Sequence, residues 1–335
     1  MAVGCGRHSA AIYDRDGALV ATADELVEVE WTRVLDDVSS ARIVVRPDGD
    51  CCAAFARVRS WRHRLVIWRD GRLVWEGPVL LPMWSTDGVE VHAVDILAWL
   101  DRRVPHRDQT FIQKDLTDIA AWLIQDGFEP DDPGHSVDIL APSRVWGDRE
   151  YLRDVGQTGE HLRDLADTGL DFTAVGSRIV LMPEDHCARV GALTDADFPD
   201  GLTVAEDGGA LATRWVVHGH DDVKGEAGGP DPYYGLLERS IEETSILDHA
   251  SAAAAARSRH GGTVPAPVFI DSQNATLASD AAVDVPSLVP GWCVDVTTTA
   301  TCRTITQALK IIGVKVVENG ERESVGVQLA PGGVS

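Results

Sequence analysis

The sequence predicts an α+β protein that is mainly β, and three observations predict it. Residues 64–100 read RLVIWRDGRLVWEGPVLLPMWSTDGVEVHAVDILAWL, where two apolar and aromatic runs flank the turn at Asp70-Gly71. Asp-Gly in this position is typical of a β-hairpin, because the tight turn needs a positive φ and glycine adopts it without strain. Alternating segments recur near both ends of the chain, whereas segments of helical periodicity concentrate between residues 109 and 200.

Residues 1–108 are predicted to be rich in β-structure. Residues 26–31 and 41–45 alternate with a period of two, which is typical of strands with one buried face. We expect Gly77-Pro78 to stop the second strand of the hairpin and residues 89–93 to form a third strand. Two short helices are expected, over residues 52–61 and 95–103.

Residues 109–200 are predicted to form an α+β segment. Asp115 is placed to cap a helix whose apolar residues recur at helical spacing, and we expect Gly127 to end it. A second helix is expected over 159–167, with Gly169 as its C-cap. A loop at 130–134 and a hairpin around Gly176-Ser177 complete the segment.

Residues 201–335 are predicted to return to β-structure around one alanine-rich helix. That helix spans 245–260 and is expected to end at Gly261-Gly262. We expect residues 224–232, with three glycines and two prolines, to form a flexible exposed loop. Strands are expected at 213–218, 267–271, 292–297, 311–317 and 323–329, with a hairpin turn at Asn319-Gly320.

Composition narrows the class of protein. The chain has 335 residues, of which 44% are hydrophobic, and its net charge is −23. The length predicts two or three domains. So large an acidic excess repels phosphate backbones, which argues against general nucleic-acid binding. It suits the wall of a channel along which DNA slides, but for most of these carboxylates we favour a solvated acidic surface.

Neither a membrane span nor an export signal is visible in the sequence. Apolar runs are broken by Arg, Asp or Pro within about twenty residues, and no apolar stretch follows the N-terminus. We therefore expect the six cysteines to be reduced thiols. These cysteines are Cys5, Cys51, Cys52, Cys187, Cys293 and Cys302.

Two clusters resemble metal sites. His218, His220, Asp221 and Asp222 offer imidazole and carboxylate ligands, although a strand that ends in a polar loop explains them as well. Residues 195–201 with Glu206 have part of a calcium-loop pattern, but Pro199 occupies a ligand position and Asp200 stands where the loop needs glycine. We favour the polar-surface interpretation for both clusters and predict no metal.

No catalytic or cofactor-binding residue is predicted. The chain has no Gly-x-Ser-x-Gly elbow, no phosphate-binding loop and no cysteine in an evident histidine context. Carboxylates are so abundant that no pair of them indicates a glycosidase. Trp68, Trp75 and Trp99 lie in periodic apolar segments and are expected in a core or interface, whereas Trp84, beside a turn, is expected to be the most exposed tryptophan of the chain.

Several motifs together resemble one protein family. These are IWRDGRLVWEGPV (67–79), DGVEVHAVDILAWLDRR (87–103), HLRDLADTGLDFT (161–173), TRWVVHG (213–219), YYGLLE (233–238) and LVPGW (288–292). In this order they resemble the tail-hub minor tail proteins of long, non-contractile-tailed phages of actinobacteria, which are similar in fold to the baseplate hubs of contractile tails. The resemblance spans most of the chain.

The resemblance implies two small β-barrel-like hub domains, 1–108 and 201–335, and an inserted α+β domain, 109–200. It implies a structural protein of the virion tail tip, assembled in the host cytoplasm, with no enzymatic activity. A homotrimeric ring would close the tail tube, between the distal tail protein and the tip or fibre proteins. The tape-measure protein is a further candidate partner. Two alternatives are a hexameric distal tail protein, which the helices between 115 and 168 disfavour, and a hydrolase of the cell wall.

Overall fold

The structure is a computed structural model that describes most of the chain. The described residues are 6–23, 26–46, 50–201, 203–206, 208–243, 246–264, 268–271, 276–299, 302, 304–320 and 322–331. Among them are twenty-one strands and four α-helices, so the prediction of a mainly β protein is confirmed. No helix in this part of the chain is long and apolar enough to cross a membrane.

The first part of the chain forms seven strands and one short α-helix. They are β1 (His8–Tyr13), β2 (Leu19–Ala23), β3 (Leu26–Val34), β4 (Ser40–Val45), α1 (Asp50–Phe55), β5 (Arg64–Arg69), β6 (Arg72–Trp84) and β7 (Val89–Val94). The helix predicted at 95–103 forms as a tighter 3-10 helix, Ile96–Arg102. The Asp95 carboxylate caps it by accepting the Leu97 amide at 3.0 Å.

The middle of the chain carries two α-helices and six strands. They are β8 (Gln109–Asp115), α2 (Leu116–Phe128), β9 (Ser136–Ile139), β10 (Trp146–Tyr151), α3 (Thr158–Ala166), β11 (Leu170–Val175), β12 (Arg178–Pro183) and β13 (Arg189–Thr194). Asp115 caps α2 as predicted, accepting the Thr117 amide at 2.9 Å. Gly127 does not end α2, because the helix continues to Phe128, whose side chain is fully buried.

The last part of the chain contains the remaining strands and the alanine-rich helix. They are β14 (Thr203–Glu206), β15 (Arg214–His218), β16 (Lys224–Gly228), β17 (Glu238–Glu242), α4 (His249–Thr263), β18 (Val268–Asp271), β19 (Cys293–Thr298), β20 (Ile305–Glu318) and β21 (Glu323–Pro331). Asp248 caps α4 by accepting the Ser251 amide at 2.8 Å. The prediction that Gly261-Gly262 ends the helix was wrong, because both glycines lie inside α4.

One large sheet joins the two β-rich parts of the chain. Its strand order is β13-β19-β20-β3-β4-β7-β6-β5-β1-β2, with β21 on the other edge of β20. The link is the antiparallel pair β20–β3, in which Gly313 lies opposite Val34 and Glu318 opposite Val29. The described strands follow an open path and close no barrel.

Buried polar contacts reinforce this link between distant parts of the chain. The Arg69 guanidinium binds both carboxylate oxygens of Glu323, at 2.6 and 2.7 Å, and both side chains are almost fully buried. Glu323 also accepts the Gly6 amide at 3.2 Å. Burial is the largest single influence on the pKa of Glu323 and raises it, but the hydrogen bonds and charge of Arg69, the Gly6 amide and His8 together outweigh burial and lower that pKa.

Buried apolar side chains form three clusters. The first lies in the large sheet and combines residues from both β-rich parts, such as Trp31, Ile43 and Val316. The second surrounds α2, α3 and the β11–β12 hairpin. The third packs α4 on β15 through Trp215, Val217 and small alanines. Burial of these side chains is the main stabilising contribution to each unit.

The predicted hairpin forms, but its second strand does not stop at Gly77-Pro78. Asp70 and Gly71 take the positive φ values of +51° and +76° that the turn requires. β6 pairs with β5 up to Pro78 and with β7 from Val79 onward. A Cβ on Gly77 would lie 1.9 Å from the Val94 carbonyl oxygen. The Gly-Pro pair therefore transfers the strand from one partner to the next.

The prediction of a flexible loop at 224–232 was also wrong for its first half, because Lys224–Gly228 form strand β16. Gly225 lies directly against helix α4, and a Cβ there would meet the backbone of Ala252 and Ala253 at 2.1 Å. Glycine serves here to let a helix approach a strand closely, and the facing alanines of α4 have the same effect.

The prediction that all the cysteines are reduced thiols was wrong. Cys187 and Cys293 form a disulfide across a sequence separation of 106 residues, with their Cα atoms 5.0 Å apart. Cys293 is buried in β19, and Cys187 lies in the loop before β13. Cys302 is exposed and free, whereas the side chains of Cys5, Cys51 and Cys52 lie outside the described residues.

We expect reduction of this disulfide to destabilise the protein by about 2–4 kcal/mol, because a long loop is released in the unfolded chain. The measurement is urea unfolding of Cys187→Ser/Cys293→Ser compared with the oxidised native chain. Cys302→Ser is the control and should unfold like the native chain. Equal stability of the double variant and the native chain would contradict the expectation.

Candidate assembly surfaces

The second half of β6 exposes apolar side chains on both faces of an edge strand. Leu80, Leu81, Met83 and Trp84 are 38%, 50%, 39% and 48% exposed. Among the described strands, residues 81–84 pair with β7 alone. We call residues 80–84 the β6 edge. A long apolar strand edge is an association site unless another chain covers it.

The β6 edge is held in place by its surroundings. The Trp84 indole N–H donates to the Phe55 carbonyl at 3.1 Å, which anchors the end of the strand to α1. Pro82 lacks an amide proton and is therefore tolerated best at an edge. Trp84 is exposed, as predicted, but Trp146, at 51%, is slightly more exposed.

A second exposed surface is the loop between β16 and β17. The Asp231 carboxylate accepts the amides of Tyr233 and Tyr234 at 2.7 and 2.9 Å, and these hydrogen bonds lower its pKa. Asp231 and Gly235 also exchange backbone hydrogen bonds. This local network presents Tyr233, which is 87% exposed, at the tip of an ordered loop. Such a tip offers contact area at low entropic cost.

A buried charged cluster joins the β11–β12 hairpin to the large sheet. Lys310, on β20, donates to the carboxylate of Asp171 on β11, and the two side chains are 3% and 1% exposed. Asp36, in the β3–β4 turn, accepts the Phe172 amide at 2.7 Å. Glu184, after β12, accepts the Ser258 hydroxyl at 2.9 Å. Lys310 therefore pairs directly with the Asp171 carboxylate, while the carboxyl groups of Asp36 and Glu184 interact with it only through their charge.

This crowding shifts the carboxyl groups toward their neutral forms. Burial, followed by the nearby Asp171 carboxylate, raises the pKa of Asp36 to about 8. Burial likewise raises the pKa values of Asp171 and Glu184. A neutral Asp36 leaves Lys310 paired with Asp171.

We expect Asp36→Asn to be more stable than the native chain near pH 8. Unfolded Asp36 loses its proton near its ordinary pKa of 3.8, while the folded chain keeps that proton up to about pH 8. The folded state binds more protons across this window, so the free energy of unfolding falls as the pH rises through it. Asparagine has no proton to lose and tolerates the φ of +60° found at this position.

The measurement is Tm against pH for the native chain, Asp36→Asn and the exposed control Asp37→Asn. The fall in Tm between about pH 4 and pH 8 should flatten in Asp36→Asn alone. Parallel curves for the native chain and Asp36→Asn would show that the folded chain does not protect this proton.

The residues considered as metal ligands do not converge. β15 ends at His218, and His220 lies in the following turn, where its Nδ1 is 3.1 Å from the Asp221 carboxylate. Asp197 accepts the Thr194 amide at 2.7 Å, and Asp195 accepts the Thr299 amide at 2.6 Å. Within the described part of the chain, no group of three or more His, Cys, Asp or Glu is placed to hold a metal ion.

A groove of about 800 Å³ lies between α3 and the unit formed by β15, β17 and α4. Its walls carry carboxylates, including Asp164, Glu184 and Glu243, beside the aromatic rings of Tyr151 and Trp215. A hydrolase that used a carboxylate pair could have its site in this groove, whereas none of residues 218–222 lines it. Glu243 already pairs with Arg259, and Glu184 with Ser258.

Comparison with solved structures finds matches along the whole chain. The tail protein from Neisseria meningitidis MC58 matches with a TM-score of 0.66 at 13% identity, over 98% of this chain and 97% of that chain. The 43 kDa tail protein of prophage MuSo2 from Shewanella oneidensis matches with a TM-score of 0.65 at 11% identity, over 98% and 99%. This chain has the fold of these tail proteins.

A third match is the E. coli c3393 protein, a type VI secretion system component described as structurally similar to the T4 tail proteins gp27 and gp5. Its TM-score is 0.57 at 12% identity, over 92% of this chain and 73% of that chain. No family model and no curated protein matches the sequence. The likeness therefore concerns the fold alone, and it is to proteins described as tail proteins or as similar to tail proteins.

Proposed function

We propose that this chain is a structural hub of a phage tail tip, without enzymatic activity. The observation that carries the proposal is the match of nearly the whole chain to nearly the whole of two tail proteins. The similarity of a third match to gp27 and gp5, as its description states, favours a hub among tail components. The motifs of the sequence favour phages of actinobacteria with long, non-contractile tails.

In this proposal three copies form a ring that closes the tail tube. Each copy would contribute two barrel-like units, residues 1–108 and 201–335, with 109–200 inserted between them. Six similar units would then face a sixfold tube, while the ring itself is threefold. The distal tail protein would bind one side of the ring, the tip or fibre proteins would bind the other, and the tape-measure protein is a further candidate partner. DNA would pass through the lumen without specific binding, since the net charge of −23 repels phosphates.

The β6 edge supports self-association. Its exposed apolar residues lie on a strand that pairs with β7 on one side only, and a second copy would cover the other side by adding a strand or an apolar face. Contacts that cover an exposed apolar edge are typical of obligate interfaces, which bury large apolar areas. We therefore assign the β6 edge to the contact between copies.

The test is the mass of the protein in solution by mass photometry. The native chain should form trimers at micromolar concentration. Leu81→Glu/Trp84→Glu should be monomeric and still folded, whereas the control Ile112→Glu, at a residue that is 75% exposed away from the β6 edge, should remain trimeric. A native monomer at all concentrations would contradict the proposal.

The two alternative functions give different results. A hexamer of the native chain would indicate a distal tail protein. Clearing of host cell walls in a zymogram, lost in His220→Ala, would indicate a hydrolase. An image of the virion that shows the chain at the tail tip would favour the hub over both.

A further inference from the structure

Arginines cluster on one surface of this acidic protein. We call this set the arginine surface: Arg15, Arg57, Arg59, Arg62, Arg64, Arg102 and Arg103. Within the described residues three carboxylates pair with them, those of Asp14, Glu76 and Asp131. The remaining three arginines, Arg57, Arg59 and Arg102, are exposed and form no ion pair with a described residue. The surface is therefore locally positive in a chain of net charge −23.

Trp61 lies at the centre of the arginine surface in an unfavourable backbone conformation. Its φ is +60°, in the left-handed region that a bulky side chain rarely adopts. Two backbone hydrogen bonds hold the segment, from the Trp61 amide to the Val79 carbonyl and from the Val79 amide to the His63 carbonyl, both 2.8 Å. Strain of this kind is typical of sites where a side chain must be presented in one orientation.

The tryptophan ring positions a guanidinium group. Trp61 contacts the Trp99 ring edge to face, with centroids 4.7 Å apart. The Arg102 Cζ lies 5.5 Å from the centroid of Trp61, and the Arg103 Cζ lies 5.8 Å from that of Trp99. A guanidinium held on an aromatic face keeps its N–H groups available and loses little freedom when it binds a carboxylate.

A small cavity of about 90 Å³ adjoins these rings. Arg15, Trp61, Arg62 and Arg64 line it together with the carboxylates of Glu76 and Asp132. The Arg64 Nε is buried and has no hydrogen-bond partner, while the Arg64 side chain as a whole is 43% exposed. The volume suits a single carboxylate-bearing side chain.

We propose that the arginine surface binds an acidic segment of a neighbouring protein, with one carboxylate in the cavity and others on Arg59 and Arg102. Protein carboxylates fit better than a duplex, because a duplex needs a positive field across many phosphates, which the acidic remainder of the chain opposes. Guanidinium–carboxylate contacts already exist at this surface in Arg62–Asp14, at 2.7 Å, and Arg64–Glu76, at 2.5 Å. This binding is independent of the proposed ring.

The test is fluorescence anisotropy of a labelled octaglutamate peptide titrated with the full chain at low salt. The native chain should bind it, and Arg57→Glu/Arg59→Glu/Arg102→Glu should bind it about tenfold more weakly or worse. The matched control, Arg153→Glu/Arg178→Glu/Arg189→Glu, reverses three exposed arginines elsewhere and should bind like the native chain. Trp61→Gly accommodates the positive φ but removes the ring, and should weaken binding while the fold remains intact.

Three results would overturn the proposal. They are no binding by the native chain, equal binding by the native chain and the first triple variant, and displacement of the peptide by duplex DNA at a lower concentration of charges than by unlabelled octaglutamate. The last result would assign the surface to nucleic acid.

Discussion

Lys310→Met is expected to lower the free energy of unfolding by about 3–5 kcal/mol, because it leaves buried carboxyl groups without their cation. Lys310 is the ammonium group that Asp171 contacts, and the backbone carbonyl of Glu184 accepts a further hydrogen bond from it. Methionine fills a similar volume, so the loss of stability would reflect the uncompensated charge of the carboxyl groups and not the creation of a cavity. The measurement is urea unfolding near pH 7.

Two further variants isolate the electrostatic cause. Lys315→Met, on the same strand, removes a cation that pairs with Glu30 at the surface. This variant should lower the free energy of unfolding by less than about 1 kcal/mol. Lys310→Met/Asp171→Leu replaces both members of the buried pair and should recover much of the lost stability. At acidic pH the carboxyl groups become neutral, so the difference between Lys310→Met and the native chain should shrink. A loss that does not depend on pH would assign the effect to packing.

The second large effect is expected from Gly225→Ala, which should lower the free energy of unfolding by about 3 kcal/mol. The new Cβ would lie 2.1 Å from two backbone atoms of α4, and backbone atoms cannot rotate away as a side chain can. The helix must therefore move off β16, which opens the small cluster around Trp215 and Ala252. Urea unfolding measures the loss, and hydrogen exchange should show α4 amides losing protection first.

Gly229→Ala is the matched control, since a Cβ at that position meets no atom within 4 Å. It should be as stable as the native chain. Equal stability of Gly225→Ala and Gly229→Ala would show that α4 does not approach β16 as closely as the structure has it.

Local features of the fold were predictable from the sequence. Alternation identified β3 and β4, and Asp70-Gly71 and Asn319-Gly320 identified two hairpin turns. Asp115 was recognised as a helix cap because its chemistry acts on residues close in sequence. In each case the interaction that determines the structure lies within a few residues of the signal.

Features that depend on distant residues were missed. The disulfide joins Cys187 to Cys293, and no spacing rule links residues so far apart. Gly225 lies in a segment rich in glycine and proline, and the strand forms there because it pairs with the distant β15, while α4 packs directly against the glycine. The β6 edge carried a signal that was misinterpreted. Pro82 indicates an edge strand, whereas Gly77-Pro78 predicts that the strand ends before Pro82; β6 in fact continues to Trp84.

The pairing of β3 with β20 has a consequence for biosynthesis. A nascent polypeptide emerges with β3 long before residues 305–318 have left the ribosome, so β3 stays an open edge for most of translation. A prematurely terminated copy keeps that edge and also lacks Glu323, the partner of Arg69. A fragment of this kind exposes an unpaired strand edge, which favours aggregation and proteolysis, so the large sheet is complete only in copies translated past β20.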